Sequence, residues 1–203
     1  MKNSRNCSKD KDRFPQQIGI FLLVLVLSSP TSFAGEVLDS HVGKDGDHYL
    51  LRIDMLINAD PEQVRTLLTD YAHLDRLSPS ITGSELLEKH DSHFRVRVTT
   101  QGCVMFFCRD LVQVQDVAEL PNGYILVTVV PEMSDFRYSR NMWRIRTLNQ
   151  QTRITYSSDL VPDFWIPPLF GTSLFKNQLL EEARLVINNL EQLANLPHDA
   201  VTE

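Results

Sequence analysis

His90 and His93 flank Asp91-Ser92, and Cys103 and Cys108 flank Val-Met-Phe-Phe; these are the spacings in the chain that could hold a metal or a redox centre. Neither set is complete. No Cys or Glu ligand accompanies the histidines in the pattern, so they read as a solvated turn, and two cysteines alone make a poor zinc site. Their separation also differs from that of a thioredoxin-type pair. The flanking runs Phe94 to Thr100 and Leu111 to Val117 alternate like paired strands. That alternation sets Cys103 opposite Cys108 across a four-residue hairpin tip, Val104 to Phe107, and in an oxidising compartment it favours a disulfide. His41, His48 and His73 are isolated, and no G-x-S-x-G, H-E-x-x-H, P-loop or Rossmann glycine pattern occurs. No catalytic residue is nominated by motif, and no cofactor or metal is expected.

The remaining chemistry lies in single polar groups among apolar ones. Trp143, Ile145, Ile154 and Tyr156 fall on alternate positions of two strand-like runs and point to one face. They are either plain core or the border of an unfilled cavity, and the Tyr156 hydroxyl needs a partner if buried. Arg137, beside Asp135, is either a rim residue with an acidic partner or an entrance residue that orients a headgroup or carboxylate.

Something must position these groups. Pro162 to Gly171, PDFWIPPLFG, joins the last strand-like run to a long amphipathic helix from Thr172 to Ala194. Pro167 and Pro168 keep that connector out of regular structure, so Phe164, Trp165, Ile166, Leu169 and Phe170 must find cover elsewhere. The helix carries Leu174, Leu179, Ala183, Val186, Ile187, Leu190 and Leu193 at three- and four-residue steps. Eight strand-like runs precede it, from Val37 to Leu160, interrupted after Ile57 by a helix capped at Asp60-Pro61 and by a second short helix over Tyr71 to Leu77. Turns are marked by Asp45-Gly46, Asn122-Gly123 and Asn149-Gln150-Gln151. Strands segregated from helices predict an α+β fold, a curved sheet gripping one C-terminal helix.

Residues 1–34 carry a basic leader, a ten-residue apolar stretch from Ile18 to Leu27 and the small residues Ser32 and Ala34 around Phe33. This is the pattern of a cleaved secretory signal, and the apolar stretch is about half the length of a membrane span. The whole chain has 20 Lys/Arg and 26 Asp/Glu, of which the leader holds five and two, so the mature chain carries 15 against 24 and a net charge of −9. That balance argues against nucleic acid and against adsorption to anionic lipid by charge alone. Residues 35–196 form one domain, and 197–203 a frayed tail.

The run Ala59-Asp60-Pro61-Glu62-Gln63-Val64, then Leu68-Thr69-Asp70-Tyr71 and Leu77-Ser78-Pro79-Ser80-Ile81, resembles the opening of the START-like polyketide cyclase/dehydrase superfamily. Ser134-Asp135-Phe136-Arg137, Trp143-Arg144-Ile145 and Pro162 to Pro168 are similar to segments of its secreted bacterial members. The resemblance implies a helix-grip fold with a deep apolar cavity for lipids, sterols, quinones or polyketides, and carries no transferable catalytic set. The expectation is an exported, periplasmic or secreted, monomeric protein. It would hold a hydrophobic small molecule through Trp143, Ile145, Tyr156, Phe164, Trp165, Phe170, Leu174 and Arg137, with the connector and hairpin tip as a lid or a transient membrane contact. The alternative is a cyclase or aromatase-type enzyme using the same cavity, which would need a titratable group inside it.

Overall fold

The computed structural model describes residues 35–104, 107–165 and 172–196, with side chains left undescribed at 103, 104, 107 and 172–175. The expected leader, hairpin-tip centre, most of the connector and the tail lie outside the described residues. Eight antiparallel strands form one sheet: β1 (Glu36–Asp45), β2 (His48–Ile57), β3 (Ile81–His90), β4 (His93–Val104), β5 (Phe107–Leu120), β6 (Tyr124–Val129), β7 (Phe136–Leu148) and β8 (Gln151–Pro162). Their order across the sheet is β1-β2-β8-β7-β6-β5-β4-β3. Helix α1 (Pro61–Leu68) and a single 3-10 turn (Leu74–Leu77) stand between β2 and β3, and helix α2 (Thr172–Ala194) ends the fold. This is the α+β helix-grip arrangement, in which a curved sheet holds the C-terminal helix.

Turn chemistry sets the strand boundaries. Gly46, Asp91, Asn122, Gly123 and Asn149 all take positive φ between adjacent strands, the conformation that Gly, Asn and Asp adopt most readily. At Gly123 a side chain would also collide with the carbonyl oxygen of Ile145. Helix α1 begins where Asp60 accepts hydrogen bonds from the amides of Glu62 and Gln63, at 3.0 and 3.3 Å, with Pro61 in the first turn. The second helix expected over Tyr71 to Leu77 is shorter, a single turn from Leu74. The loop Asp70 to His73 is instead held by side chains, Asp70 pairing with both Arg76 and His73.

One face of the sheet is apolar. Ile53, Met55 and Ile57 of β2, Val96 and Val98 of β4, Ile145 of β7 and Ile154 of β8 pack with Val64, Leu67 and Leu68 of α1 and with Ala183, Ile187 and Leu190 of α2. Polar groups fix where α2 lies. Glu191 accepts from the Asn58 amide at 2.6 Å, Asn195 and Asn189 donate to the carbonyls of Asn58 and Leu77, and Glu182 accepts from Ser78 and Ser80. Glu191 is therefore an anchor. Gly35 passes so close to Glu191, Ile187 and the Leu56 carbonyl that a side chain there would collide with all three.

The opposite face carries a cross-strand ladder, Glu88, Arg95, Asp116, Thr128, Arg140 and Asp159. Its exposed ion pairs, such as Arg95 to Asp116 at 2.8 Å, are screened by solvent and contribute little to stability. Asp54 is the exception on this face because it is buried. Burial pushes its carboxyl pKa up, but hydrogen bonds from Thr155 (2.5 Å) and Arg153 (3.1 Å), with the charges of Arg153 and Arg52, outweigh burial and leave it below the usual value. A depressed folded pKa supplies stability that is present above the unfolded pKa of about 3.9 and is lost as pH falls through the folded value. Asp54→Asn is therefore expected to flatten the acid limb of a stability profile below about pH 4. An unchanged acid limb would show that the Arg153 contact adds nothing.

Candidate functional site

The ladder registers place the aromatic pair in the middle of the helix-bearing face. One cross-strand row runs Ile53, Tyr156, Trp143, Ile125 and Glu119, and the next runs Leu51, Ser158, Asn141, Val127, Val117 and Phe94. Trp143 and Tyr156 lie 4.4 Å apart between ring centroids, tilted by 43°. Ile145 and Ile154 form the row on the far side and are fully covered, at 7% and 0% exposure. The two aromatics remain partly accessible although they sit at mid-sheet. Of the expected ligand-binding set, the sheet thus brings Trp143, Ile145 and Tyr156 together.

Beyond the aromatics the face turns polar without becoming charged. Ser139, Asn141 and Ser158 are all buried. Ser158 Oγ donates to Asn141 Oδ1 at 2.6 Å, Ser139 Oγ approaches the same oxygen at 3.4 Å, and Ser158 is the polar neighbour of the Tyr156 hydroxyl. Burial pushes the Tyr156 pKa up and the Ser158 contact only partly offsets this, so the phenol stays neutral. The sequence signal for this cluster was weak. Ser and Asn are ordinary on strands, and only the register places residues 139, 141 and 158 together.

Glu119 is the inward carboxylate that sequence reasoning missed. It ends the Trp143 row on β5 and is tied to α1 by Arg65 Nη2 at 2.7 Å and to the Tyr71 hydroxyl at 3.1 Å. Burial first, then the Glu119 charge and hydrogen bond, raise the Tyr71 pKa well above its ordinary value, with Arg65 opposing. Tyr71 in turn stacks on Phe94 at 4.8 Å. A carboxylate paired in this way is a structural tie between α1 and the sheet. Glu119→Gln is expected to lower stability by about 1–3 kcal/mol, measurable by urea unfolding, because it weakens two charge-assisted contacts in a part-buried setting. No loss of stability would mean that the carboxylate is free for other work.

The other candidates scatter. Arg137 is 57% exposed at its side chain and sits at the sheet margin, 3.6 Å from both Asp47 and Asp163, with Nε donating to the Pro162 carbonyl. Phe164 packs edge-on to Phe136 at 5.9 Å and lies under the Arg109 guanidinium. Trp165 is 77% exposed. Phe170 and the side chain of Leu174 lie outside the described residues. In the hairpin, Cys103 faces Cys108 in the β4–β5 register, as expected, but Val104 pairs with Phe107, so the loop between them is two residues rather than four. His90 and His93 sit at an exposed turn. Among the described residues no cluster of His, Cys, Asp or Glu could hold a metal ion. Two surface depressions of about 340 and 350 Å³ lie around Arg95 and Asp116 and around Arg65 and Asn122, and neither borders the Tyr156 row.

Residues 57–182 match the family of polyketide cyclase / dehydrase and lipid transport proteins. The chain belongs to this family. The fold of the family member is shared with a START superfamily protein from Mycobacterium smegmatis, at TM-score 0.59 and 17% identity, covering 71% of this chain and 98% of that one. It is also similar to a STAR-related lipid transfer protein from Xanthomonas axonopodis, at TM-score 0.55 and 16% identity, covering 77% and 99%. The Zhui aromatase/cyclase from Streptomyces sp. R1128 matches at TM-score 0.59 and 14% identity, covering 72% and 93%. Identities this low speak for the fold alone. Among curated proteins none matches this chain in sequence.

Proposed function

We propose that the mature chain is an exported binding protein that holds a hydrophobic small molecule between the sheet and α2. The observation that carries this reading is the half-covered Trp143–Tyr156 pair at mid-sheet. The next row, Ile145 and Ile154, is filled by core, whereas the aromatics keep surface that an apolar guest would cover. Burial of an acyl or prenyl chain at about 0.8 kcal/mol per methylene supplies affinity without a charged motif. The family includes lipid transport proteins, and a lipid transfer protein is among the similar folds. The leader pattern supports export to the periplasm or beyond, and a Cys103–Cys108 disulfide suits that compartment. Alkylation of both thiols in unreduced protein purified from the envelope would refute the pairing. The exposed Trp165 places a large apolar side chain on the connector, where it would act as lid or touch the membrane during loading.

A cyclase-type activity is the second reading, favoured by one observation, the inward carboxylate of Glu119 in the Trp143 row. Its engagement by Arg65 and Tyr71 weighs against a role in proton transfer, since a general acid or base needs a free lone pair or proton at the reacting atom. The two readings separate in a titration of the purified mature protein with an environment-sensitive hydrophobic dye. Saturable binding that survives Glu119→Gln supports the carrier, and an absence of binding refutes it.

A further inference from the structure

We infer that the ligand is a neutral amphiphile, an apolar body bearing a carbonyl or hydroxyl oxygen, whose polar end hydrogen-bonds to Asn141. This rests on the binding function proposed above and names the chemistry of its guest. Asn141 Oδ1 accepts from Ser158 at 2.6 Å and faces Ser139 at 3.4 Å. With Oδ1 occupied by hydroxyls, the amide Nδ2 and its two hydrogens are the outstanding polar capacity of the cluster. Among the described residues nothing accepts from them. Ser139, Asn141 and Ser158 are 4–8% exposed in an otherwise apolar face, where polar groups take hydrogen-bond partners. A ligand oxygen is the acceptor that Asn141 Nδ2 would take.

The absence of charge in this row sets the class. A carboxylate buried beside Asn141 would lose its water without gaining a cation, a penalty that a carbonyl or hydroxyl does not incur. The inward acid of the neighbouring row, Glu119, is already paired with Arg65. A rival feature is Lys176. It is half-buried and shares the face of α2 that carries Ala183 and Leu190, at a seven-residue step from Ala183. If Lys176 rather than Asn141 set the preference, the ligand would be an anion, and the experiment is arranged to expose that.

The test displaces a bound environment-sensitive dye from mature protein at pH 8 with four probes of one chain length: dodecane, 1-dodecanol, 2-dodecanone and dodecanoate. The expected result is that the alcohol and ketone displace dye at concentrations about tenfold lower than dodecanoate, the scale of one hydrogen bond retained or lost at a buried polar group. Asn141→Leu should bring the ketone level with dodecane. Ser158→Ala, smaller and less disruptive, should weaken the ketone severalfold, with circular dichroism confirming that both variants are folded. Equal displacement by dodecane and ketone in the native protein overturns the Asn141 assignment while leaving hydrophobe binding intact. Dodecanoate displacing best, with that advantage lost in Lys176→Gln, overturns neutrality in favour of an anionic ligand. Failure of every probe and of the dye itself overturns the binding function, and the inference with it.

Discussion

Leu190→Ala is expected to cost about 2–5 kcal/mol, lowering the melting temperature by about 5–15 °C for a domain of this size. Leu190 is fully covered, on the stripe of α2 that meets β1, β2 and α1. Truncation would leave a cavity where the helix is anchored, beside the Asn58 and Leu77 contacts made by Glu191, Asn195 and Asn189. Polar anchors specify where the helix lies, but burial supplies most of its hold, so losing three buried carbons at the centre outweighs losing any one anchor. Differential scanning calorimetry measures this directly. A loss below about 1 kcal/mol would mean that this end of α2 is not part of the core.

Trp165→Ala is expected to have the opposite signature. At 77% exposure its removal should alter stability by no more than about 0.5 kcal/mol. In the proposed role as a lid residue, its loss should weaken dye or lipid uptake by about tenfold, the scale of an aromatic anchor at a binding surface. The comparison needs thermal unfolding and dye titration on one preparation. Stability lost without a selective fall in uptake would place Trp165 in the core and remove the connector from the site.

These two variants mark what the sequence does and does not express. Leu190 was readable because a helix repeats every 3.6 residues, and the steps Ala183, Ile187, Leu190 show the buried stripe directly. The strands were readable for a similar reason, since period-two alternation stops at Gly46, Asp91, Asn122 and Asn149, residues that take the positive φ those turns require. Strand ends were less legible. β5 extends from Phe107 to Leu120, past the alternating run Leu111 to Val117 on both sides, because ladder hydrogen bonds continue where side chains have stopped alternating. The short helix before Ser78 contracted to one turn because the Asp70, His73 and Arg76 side chains bind one another and the loop backbone.

The site was legible only where its chemistry coincides with periodicity. Trp143, Ile145 and Tyr156 could be set on one face from spacing alone, and the register joins Trp143 to Tyr156 directly. Ser139, Asn141 and Ser158 could not, since a buried polar cluster depends on which strands are neighbours. Glu119 shows the same limit from the other side. Its place opposite Ile125, at the end of the Trp143 row, and its ties to Arg65 and Tyr71 arise from contacts 48 and 54 residues apart in the chain.

The most direct test of the binding function is denaturing extraction and mass spectrometry of mature protein exported to the periplasm. A stoichiometric hydrophobic species, neutral and bearing a carbonyl or hydroxyl group, is the predicted result. Protein that carries nothing, and that also fails to take up an environment-sensitive hydrophobic dye, would contradict it and mean that the space between sheet and α2 is filled by the chain itself.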